Sequence, residues 1–307
     1  MQKVLYIINP ISGVGKQKII EKTLEKYSDK QNINYQINYT EYAKHAIDIC
    51  KQNVGNFDAI IIVGGDGSIN EVAQSLIHSN TALGIIPTGS GNGFARDLKI
   101  PLNIKKAIGV INNFNTKLID TAQINNEYFV NVAGLGFDAQ IAHKFAELGT
   151  RGFKSYVKLT LKEFAHIKRN SYKLTIDEKT VDLDAVMLTI ANGRQFGNNA
   201  YIAPGASMTD GKLNVTIVNI PKIIQKPIKL AEFRKTLDKF KIVRTFSGKK
   251  ISIQSESEFI TQIDGEPSHY KNNIEIEVLP QSLKVIVPMG KTSKIKPSRL
   301  LKKIIKR

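Results

Sequence analysis

The stretch Ala59-Ile-Ile-Ile-Val63 constrains this chain more than any other: five apolar residues in a row stop abruptly at Gly64-Gly65. A strand that is apolar on both faces has to be covered on both faces, which is the condition of a buried parallel strand. Flanking segments repeat the pattern. Lys3 to Ile8 reads as another buried strand, followed by a Pro/Gly loop from Asn9 to Gly15 and a helix with Ile20, Leu24 and Tyr27 at helical spacing. Ile33, Tyr35, Ile37 and Tyr39 alternate as in a strand, and Ala43, Ala46, Ile47 and Cys50 return to helical spacing. A helix over Asn70 to Ile77 and a strand over Leu83 to Ile86 extend the series. Strands and helices in strict succession predict an open, mostly parallel sheet with helices on both faces.

Beyond about Ile119 the pattern changes. Short β-rich segments (Tyr128 to Ala133, Tyr172 to Ile176, Val186 to Ile190, Leu213 to Val218, Ile274 to Val278, Leu283 to Val287) are separated by Asn-Asn, Asp-Gly and Pro signals. They predict a second, mainly antiparallel β domain. The expected division is an α/β domain over 1–121 and a second domain over 122–290, with a helical insertion at about 141–168.

Charge bounds the partner. Lys+Arg 44 against Asp+Glu 27 leaves a net charge of +17, which calls for something anionic: nucleic acid, a membrane surface or a polyanionic substrate. The chain has no Trp and only 7% aromatic residues, which argues against a base-stacking platform for nucleic acid. No apolar run approaches the roughly 18 residues of a membrane-spanning helix, and Met1 to Asn9 lacks the form of a signal peptide. A single cysteine, Cys50, permits no intrachain disulfide and suits a reducing cytosol; its place in the helical pattern predicts a core position. The expected location is the cytoplasm, with peripheral attachment to an anionic membrane through unbalanced clusters such as Lys222, Lys226, Lys229, Arg234, Lys235 and the basic end of the chain.

The most informative string is Gly64-Gly65-Asp66-Gly67-Ser68-Ile69-Asn70-Glu71, placed between a buried strand and a helix. Ser68 and Glu71 have the spacing of a capping box, which predicts a helix starting just after the glycines. Glycines let backbone N–H groups close on an anion, and a helix N-terminus favours negative charge, so the string reads as a phosphate cradle. Asp66 at its centre repels phosphate unless a divalent cation lies between them, which points to phosphate with Mg2+. Asn9-Pro10-Ile11-Ser12-Gly13 and Pro87-Thr88-Gly89-Ser90-Gly91-Asn92-Gly93 follow other strands, so all three loops should meet on one carboxyl edge. Neither the Walker A nor the dinucleotide fingerprint fits: Pro10 stands where the first Walker glycine belongs, and Lys18 where the third dinucleotide glycine belongs.

Taken together, Asn-Pro-x-Ser-Gly, Gly-Gly-Asp-Gly-Ser-x-Asn-Glu and Pro-x-Gly-Ser-Gly-Asn-x-x-Ala-Arg resemble the catalytic domain of diacylglycerol, sphingosine and ceramide kinases and their soluble bacterial lipid-kinase relatives. The resemblance continues in order through Gly134-Leu-Gly-Phe-Asp-Ala139, Ala203-Pro-Gly-Ala-Ser-Met-Thr-Asp-Gly-Lys-Leu-Asn-Val215, Asp264-Gly-Glu-Pro267 and Leu279-Pro280 to Val287-Pro288. It implies that 1–121 is a nucleotide-binding α/β domain and 122–290 a β-sandwich substrate domain, with an ATP site in the cleft between them, transfer of the γ-phosphoryl group to a lipid hydroxyl, and a C-terminal segment, 291–307, that returns to the first domain. By position it implies ATP contacts at Asn9, Pro10, Ser12, Gly13, Thr40, Gly64, Gly65, Asp66, Gly67, Ser68, Asn70, Thr88 and Gly89. Glu266 matches the general base, Asp66 shares the catalytic role, and Ser207, Asp210 and Lys212 match a structural Mg2+ site. Asn92-Gly93 replaces the Asn-Asp of bacterial diacylglycerol kinases and removes a carboxylate. An ATP-NAD kinase shares the Gly-Gly-Asp-Gly loop but not Asn-Pro-x-Ser-Gly or Asp-Gly-Glu-Pro, and a non-catalytic nucleotide- or lipid-binding regulator would have no use for Glu266 and Asp66. A homodimer is compatible with all of this.

Overall fold

The computed structural model describes residues 1–11, 17–148, 153–219 and 243–289. Ser12, Gly13, the basic cluster from Lys222 to Lys235 and the C-terminal segment 291–307 lie outside the described residues.

Strands β1 (Gln2–Ile8), β2 (Ile33–Tyr39), β3 (Ala59–Gly64) and β4 (Ala82–Pro87) lie side by side in the order β2-β1-β3-β4, all parallel. The two central strands are apolar and buried along their packed stretches, whereas β2 at the edge alternates between covered and open positions. With this strand order, the right-handed rule for parallel crossovers places α1 (Gln17–Tyr27) on one face and α2 (His45–Asn53) and α3 (Asp66–Leu76) on the other. Helix α5 (Ile104–Asn113) packs against α1, and α2 against α3, so both faces of the sheet are covered. Cys50 is fully buried in this core, and burial pushes its thiol up to about 12, as expected of a core residue.

The remaining strands build the sandwich. One of its layers is an antiparallel sheet ordered β12 (Val243–Gly248), β11 (Leu213–Val218), β10 (Met187–Ala191), β7 (Val132–Gly136), β14 (Phe259–Ile263) and β15 (Glu266–Tyr270). Its partner layer is a continuation of the parallel sheet, which the sequence did not suggest. The long strand β16 (Asn273–Ile286) pairs with β13 (Lys250–Gln254) in its first half and meets β4 at Val285 in its second. Strand β5 (Thr116–Ile124) runs antiparallel to β16 across a register shift between Leu279 and Leu283, and β8 (Asn170–Ile176) and β9 (Lys179–Ala185) complete the far end. Apolar residues from both layers, among them Phe129, Leu135, Leu174, Ile190, Val215 and Ile274, fill the space between them. The fold is therefore the expected open parallel sheet plus an antiparallel sandwich, joined through one shared strand. Two helices, α6 (Phe137–Glu147) and α7 (Phe153–Glu163), follow β7. Among the described residues no helix is long and apolar enough to cross a membrane.

Candidate functional site

Chain ends of the parallel strands are laced together by backbone hydrogen bonds. The N–H of Asn9 donates to the carbonyl of Val63 at 3.1 Å, that of Thr40 to Ile8 at 3.0 Å and that of Thr88 to Gly64 at 2.9 Å. Asn9 also donates from Nδ2 to Ser68 Oγ at 2.8 Å, while its Oδ1 accepts the N–H of Ile11, turning the chain at Pro10. Asn9, Pro10, Thr40, Gly64 to Ser68, Thr88 and Gly89 thus share one carboxyl edge, as the parallel order requires. Gly65 and Gly89 touch backbone to backbone: a Cβ at Gly89 would lie 2.6 Å from the Gly65 Cα. Side chains at either position would force the two loops apart.

Helix α3 begins earlier than the capping-box spacing predicted. Gly65 is its N-cap, extended at φ −92° and ψ −174°, and no side chain caps the helix. Ser68 therefore falls in the first turn, where its hydroxyl serves Asn9 instead. Glu71 turns its carboxylate to the backbone N–H groups of Lys44 and Ala46 at the start of α2, and burial holds its carboxyl above the usual range. Asn70, buried one turn into α3, accepts from Gln74 and faces the cleft.

Asp66 lies against the backbone N–H groups of Asn92, Gly93 and Phe94 at the start of α4 (Gly93–Asp97), and burial pushes its carboxyl up. Its Oδ1 is buried with no hydrogen-bond partner among the described residues. A desolvated carboxylate oxygen without a donor is a fitting ligand for a cation. The carboxylate missing at Gly93 would not fit here: a Cβ at that position would lie 2.8 Å from the carbonyl oxygen of Phe196.

The Asp-Gly-Glu-Pro segment is both a turn and a site. Asp264 (φ 50°) and Gly265 (φ 92°) form the tight connection between β14 and β15, with Ile263 paired to Glu266. The Asp264 carboxylate accepts the N–H groups of Val130, Asn131 and Val132 at 2.8–2.9 Å, which fixes the hairpin onto the loop before β7. Burial, with the charge of Asp66 adding to it, pushes the Asp264 carboxyl up to about 6. The next residue, exposed Glu266, reaches the glycine loop: its Oε1 lies 3.3 Å from where a Gly67 Cβ would be. Its charge also adds to the upward push on Glu71. The structure therefore brings together Glu266 and Asp66, which stand about 200 residues apart in the chain.

Between the glycine loops and α6–α7 lies a cavity of about 250 Å³. Ile69, Phe94, Val132, Phe145, Tyr156 and Phe196 make it largely apolar, and Asp66, Asp138 and Asp264 are its acids. Asp138 is buried, and its carboxyl is pushed up to about 7 by that burial. Its native state therefore binds more protons than the unfolded chain between about pH 4 and 7, so its contribution to stability falls as pH rises through that window. Replacing Asp138 with Asn should remove this slope and raise the melting temperature at pH 8 relative to the unaltered protein. Thermal melts of both proteins at pH 5 and pH 8 check it; equal shifts at the two values would contradict the sign.

Ser207, Asp210 and Lys212 sit on the turn before β11 and do not line the cavity. Asp210 Oδ1 accepts the N–H of Lys212 at 3.1 Å, Ser207 Oγ lies 3.4 Å from Thr209 Oγ1, and the N–H of Gly211 donates to Asp120. With one carboxylate, hydroxyls and carbonyls, the turn has the donor types of a structural Mg2+ site. A melting temperature that rises with Mg2+ in the unaltered protein, and rises less after Asp210→Ala, is the expected result. Absence of any Mg2+ response in both would leave Asp210 as a turn residue.

Sequence reading missed Asp138 and Asp264 as site residues. For Asp138 a signal exists: Asp138, Ala142 and Phe145 stand at i, i+4 and i+7, one face of α6, and all three line the cavity.

Glycine loops meeting at the carboxyl edge of a parallel sheet, faced by a carboxylate from a sandwich hairpin, define a phosphate-handling α/β protein closed by a β-sandwich. Residues 3–124 match the family described as diacylglycerol kinase catalytic domain, and residues 131–287 match the YegS C-terminal NAD kinase beta sandwich-like domain. The chain belongs to this two-domain diacylglycerol kinase family. It is 28% identical over 282 residues to the Staphylococcus aureus (strain JH9) protein named "Putative lipid kinase SaurJH9_0749", covering 89% of this chain and 91% of that one. A solved structure of a diacylglycerol kinase from Bacillus anthracis str. Sterne superposes with a TM-score of 0.72 at 25% identity, over 94% of this chain and 97% of that one. Membership in a kinase family implies use of ATP.

Proposed function

We propose that this chain is an ATP- and magnesium-dependent lipid kinase that transfers the γ-phosphoryl group to a hydroxyl of a membrane lipid. The observation that carries the reading is Glu266 held beside Gly67, at a glycine cradle that opens onto an apolar cavity. Backbone groups of Asn9, Pro10, Gly64 to Ser68, Thr88 and Gly89, with the Thr40 and Asn70 side chains, orient the nucleotide phosphates at the sheet edge. Asp66, with its unpartnered oxygen, would hold Mg2+, and the ion when bound would neutralise charge on the phosphates. Glu266 accepts the proton of the acceptor hydroxyl, a group too weakly acidic to ionise unaided, as its oxygen meets phosphorus. Ile69, Phe94, Val132 and Phe145 keep water from the acceptor and hold the apolar part of the lipid. An apolar lining suits a lipid and not the polar ribose of a dinucleotide, which favours a lipid kinase over an ATP-NAD kinase.

Radiolabelled ATP and mixed micelles of diacylglycerol, monoacylglycerol, sphingosine, ceramide or phosphatidylglycerol test the reading directly. Label in a lipid product is expected; label in NAD instead would replace it.

The net charge of +17 fits an enzyme that meets its acceptor at an anionic membrane surface from the cytoplasmic side. Attraction of this kind is screened over about 8–10 Å at physiological salt. Co-sedimentation with vesicles containing anionic lipid should therefore fall steeply as salt rises, with poor binding to neutral vesicles throughout. Equal pelleting with both, unaffected by salt, would assign the charge to something else.

A further inference from the structure

The loop after β4 that faces Asp66 alternates glycine with small polar residues, Gly89-Ser90-Gly91-Asn92-Gly93, so its own side chains do little to fix its path. The tie comes from the sandwich. Between β10 and β11 the chain makes a short hairpin bridged at Gln195 and Tyr201, with the Phe196 N–H donating to the Ala200 carbonyl at 3.0 Å. The Asp97 carboxylate holds its base, accepting the Arg194 N–H and Gln195 Nε2. One side of the hairpin, Phe196, Gly197 and Ala200, lines the cavity. Its tip lies on the loop backbone to backbone: a Cβ at Gly197 would be 3.0 Å from the Gly91 Cα.

At that tip the Asn198 N–H donates to the Gly91 carbonyl at 3.1 Å and Asn198 Nδ2 to the Ser90 carbonyl at 2.9 Å, while Asn198 Oδ1 accepts from Arg96 Nη2 at 3.2 Å. Asn198 (φ 48°) and Asn199 (φ 63°) are consecutive left-handed residues, a conformation that glycine adopts with less strain. Asn199 is exposed and joins the hairpin through its backbone N–H, which donates to Gln195 Oε1 at 3.0 Å. Asn198 instead directs its whole side chain at the loop. The Gly91–Asn92 peptide is trans, so holding its carbonyl on Asn198 turns its N–H to the opposite side. That N–H is one of the three that face the Asp66 carboxylate. Gly91 closes on the same carboxylate: a Cβ there would be 3.0 Å from Asp66 Oδ2.

We propose that Asn198 is a positioning residue for Asp66: from the sandwich it sets the Gly91–Asn92 peptide against the carboxylate, which leaves the unpartnered Oδ1 aimed for Mg2+. This rests on the reading above of Asp66 as the residue that would hold the ion. The action of Asn198 is indirect, through Gly91 and Asn92, and its strained backbone is the cost of placing a side chain where glycine would only make the turn.

The test titrates ATP calorimetrically, with and without Mg2+, into the unaltered protein, Asn198→Gly and Asn199→Gly. Glycine suits both backbone positions, so both variants should fold, and a melting curve of each confirms it. N198G should bind ATP about 10-fold more weakly in the presence of Mg2+, the worth of two hydrogen bonds, with Mg2+-free binding unchanged. N199G should match the unaltered protein in both titrations. Mg2+-dependent binding kept intact in N198G, an equal loss with and without Mg2+, or the same loss in N199G would overturn the proposal and leave the metal reading of Asp66 standing. Should N198G fail to fold, Asn198→Asp decides: it keeps the shape, puts an acceptor where the Ser90 carbonyl needs a donor, and should weaken the same Mg2+-dependent binding. ATP binding that ignores Mg2+ in the unaltered protein would overturn both.

Discussion

Glu266→Gln is expected to lower lipid-dependent phosphoryl transfer by about 10²- to 10⁴-fold, the usual worth of a general base, with ATP affinity almost unchanged. Gln preserves the size of the side chain and the β-bridge of Glu266 to Ile263, so the hairpin that carries it should stay in place. Only the ability to accept a proton is lost. Because Glu266 is exposed and approaches the glycine loop at Gly67, the change should show in kcat and not in stability. Steady-state kinetics with a saturating lipid acceptor, together with calorimetric titration of ATP, separate the two quantities. Turnover within a few-fold of the unaltered protein would remove Glu266 from the chemistry and leave it a turn residue.

Asp66→Ala should have a larger effect, more than about 10³-fold in turnover, with loss of the Mg2+ dependence of ATP binding. Two consequences of the same substitution account for the size. The unpartnered Oδ1 that would hold the ion disappears. The backbone N–H groups of Asn92, Gly93 and Phe94 also lose the carboxylate they face, so the loop after β4 loses a tie to the loop after β3. Calorimetry with ATP in the presence and absence of Mg2+ checks the first consequence, and Asp66→Asn, which keeps a hydrogen-bond acceptor, isolates it from the second. Unchanged Mg2+-dependent binding in both variants would move the metal role elsewhere.

How much of this was legible in the sequence depended on whether the signal was local. The unbroken apolar runs of β1 and β3 announced buried strands of a parallel sheet, because only a strand covered on both faces can be apolar at every position. Alternation in β2 announced a strand, and the structure put that strand at the edge. From that parallel order it follows directly that Asn9, Gly64 to Ser68 and Thr88-Gly89 share one edge. The helix start in the glycine loop was misread by three residues: Gly65 could extend and cap α3 itself, which freed Ser68 for Asn9.

The sequence by itself determined which backbone conformations were available: buried strands where β-branched residues run together, tight turns at Gly65, Gly89 and Asp264-Gly265, and a helix directly behind the Gly64-Gly65 loop. Tertiary structure decided what those pieces face. Strand β16 carries the parallel sheet on into one layer of the sandwich, an arrangement no local pattern encodes because it depends on which strand is left to pair with β4. Through that crossing the β14–β15 hairpin comes down over the glycine loop, and Glu266 reaches Gly67 from the far part of the chain. Burial did the rest: Asp138 and Asp264 read as ordinary carboxylates until the sandwich closes around them, because desolvation belongs to the packed molecule and not to any segment of it.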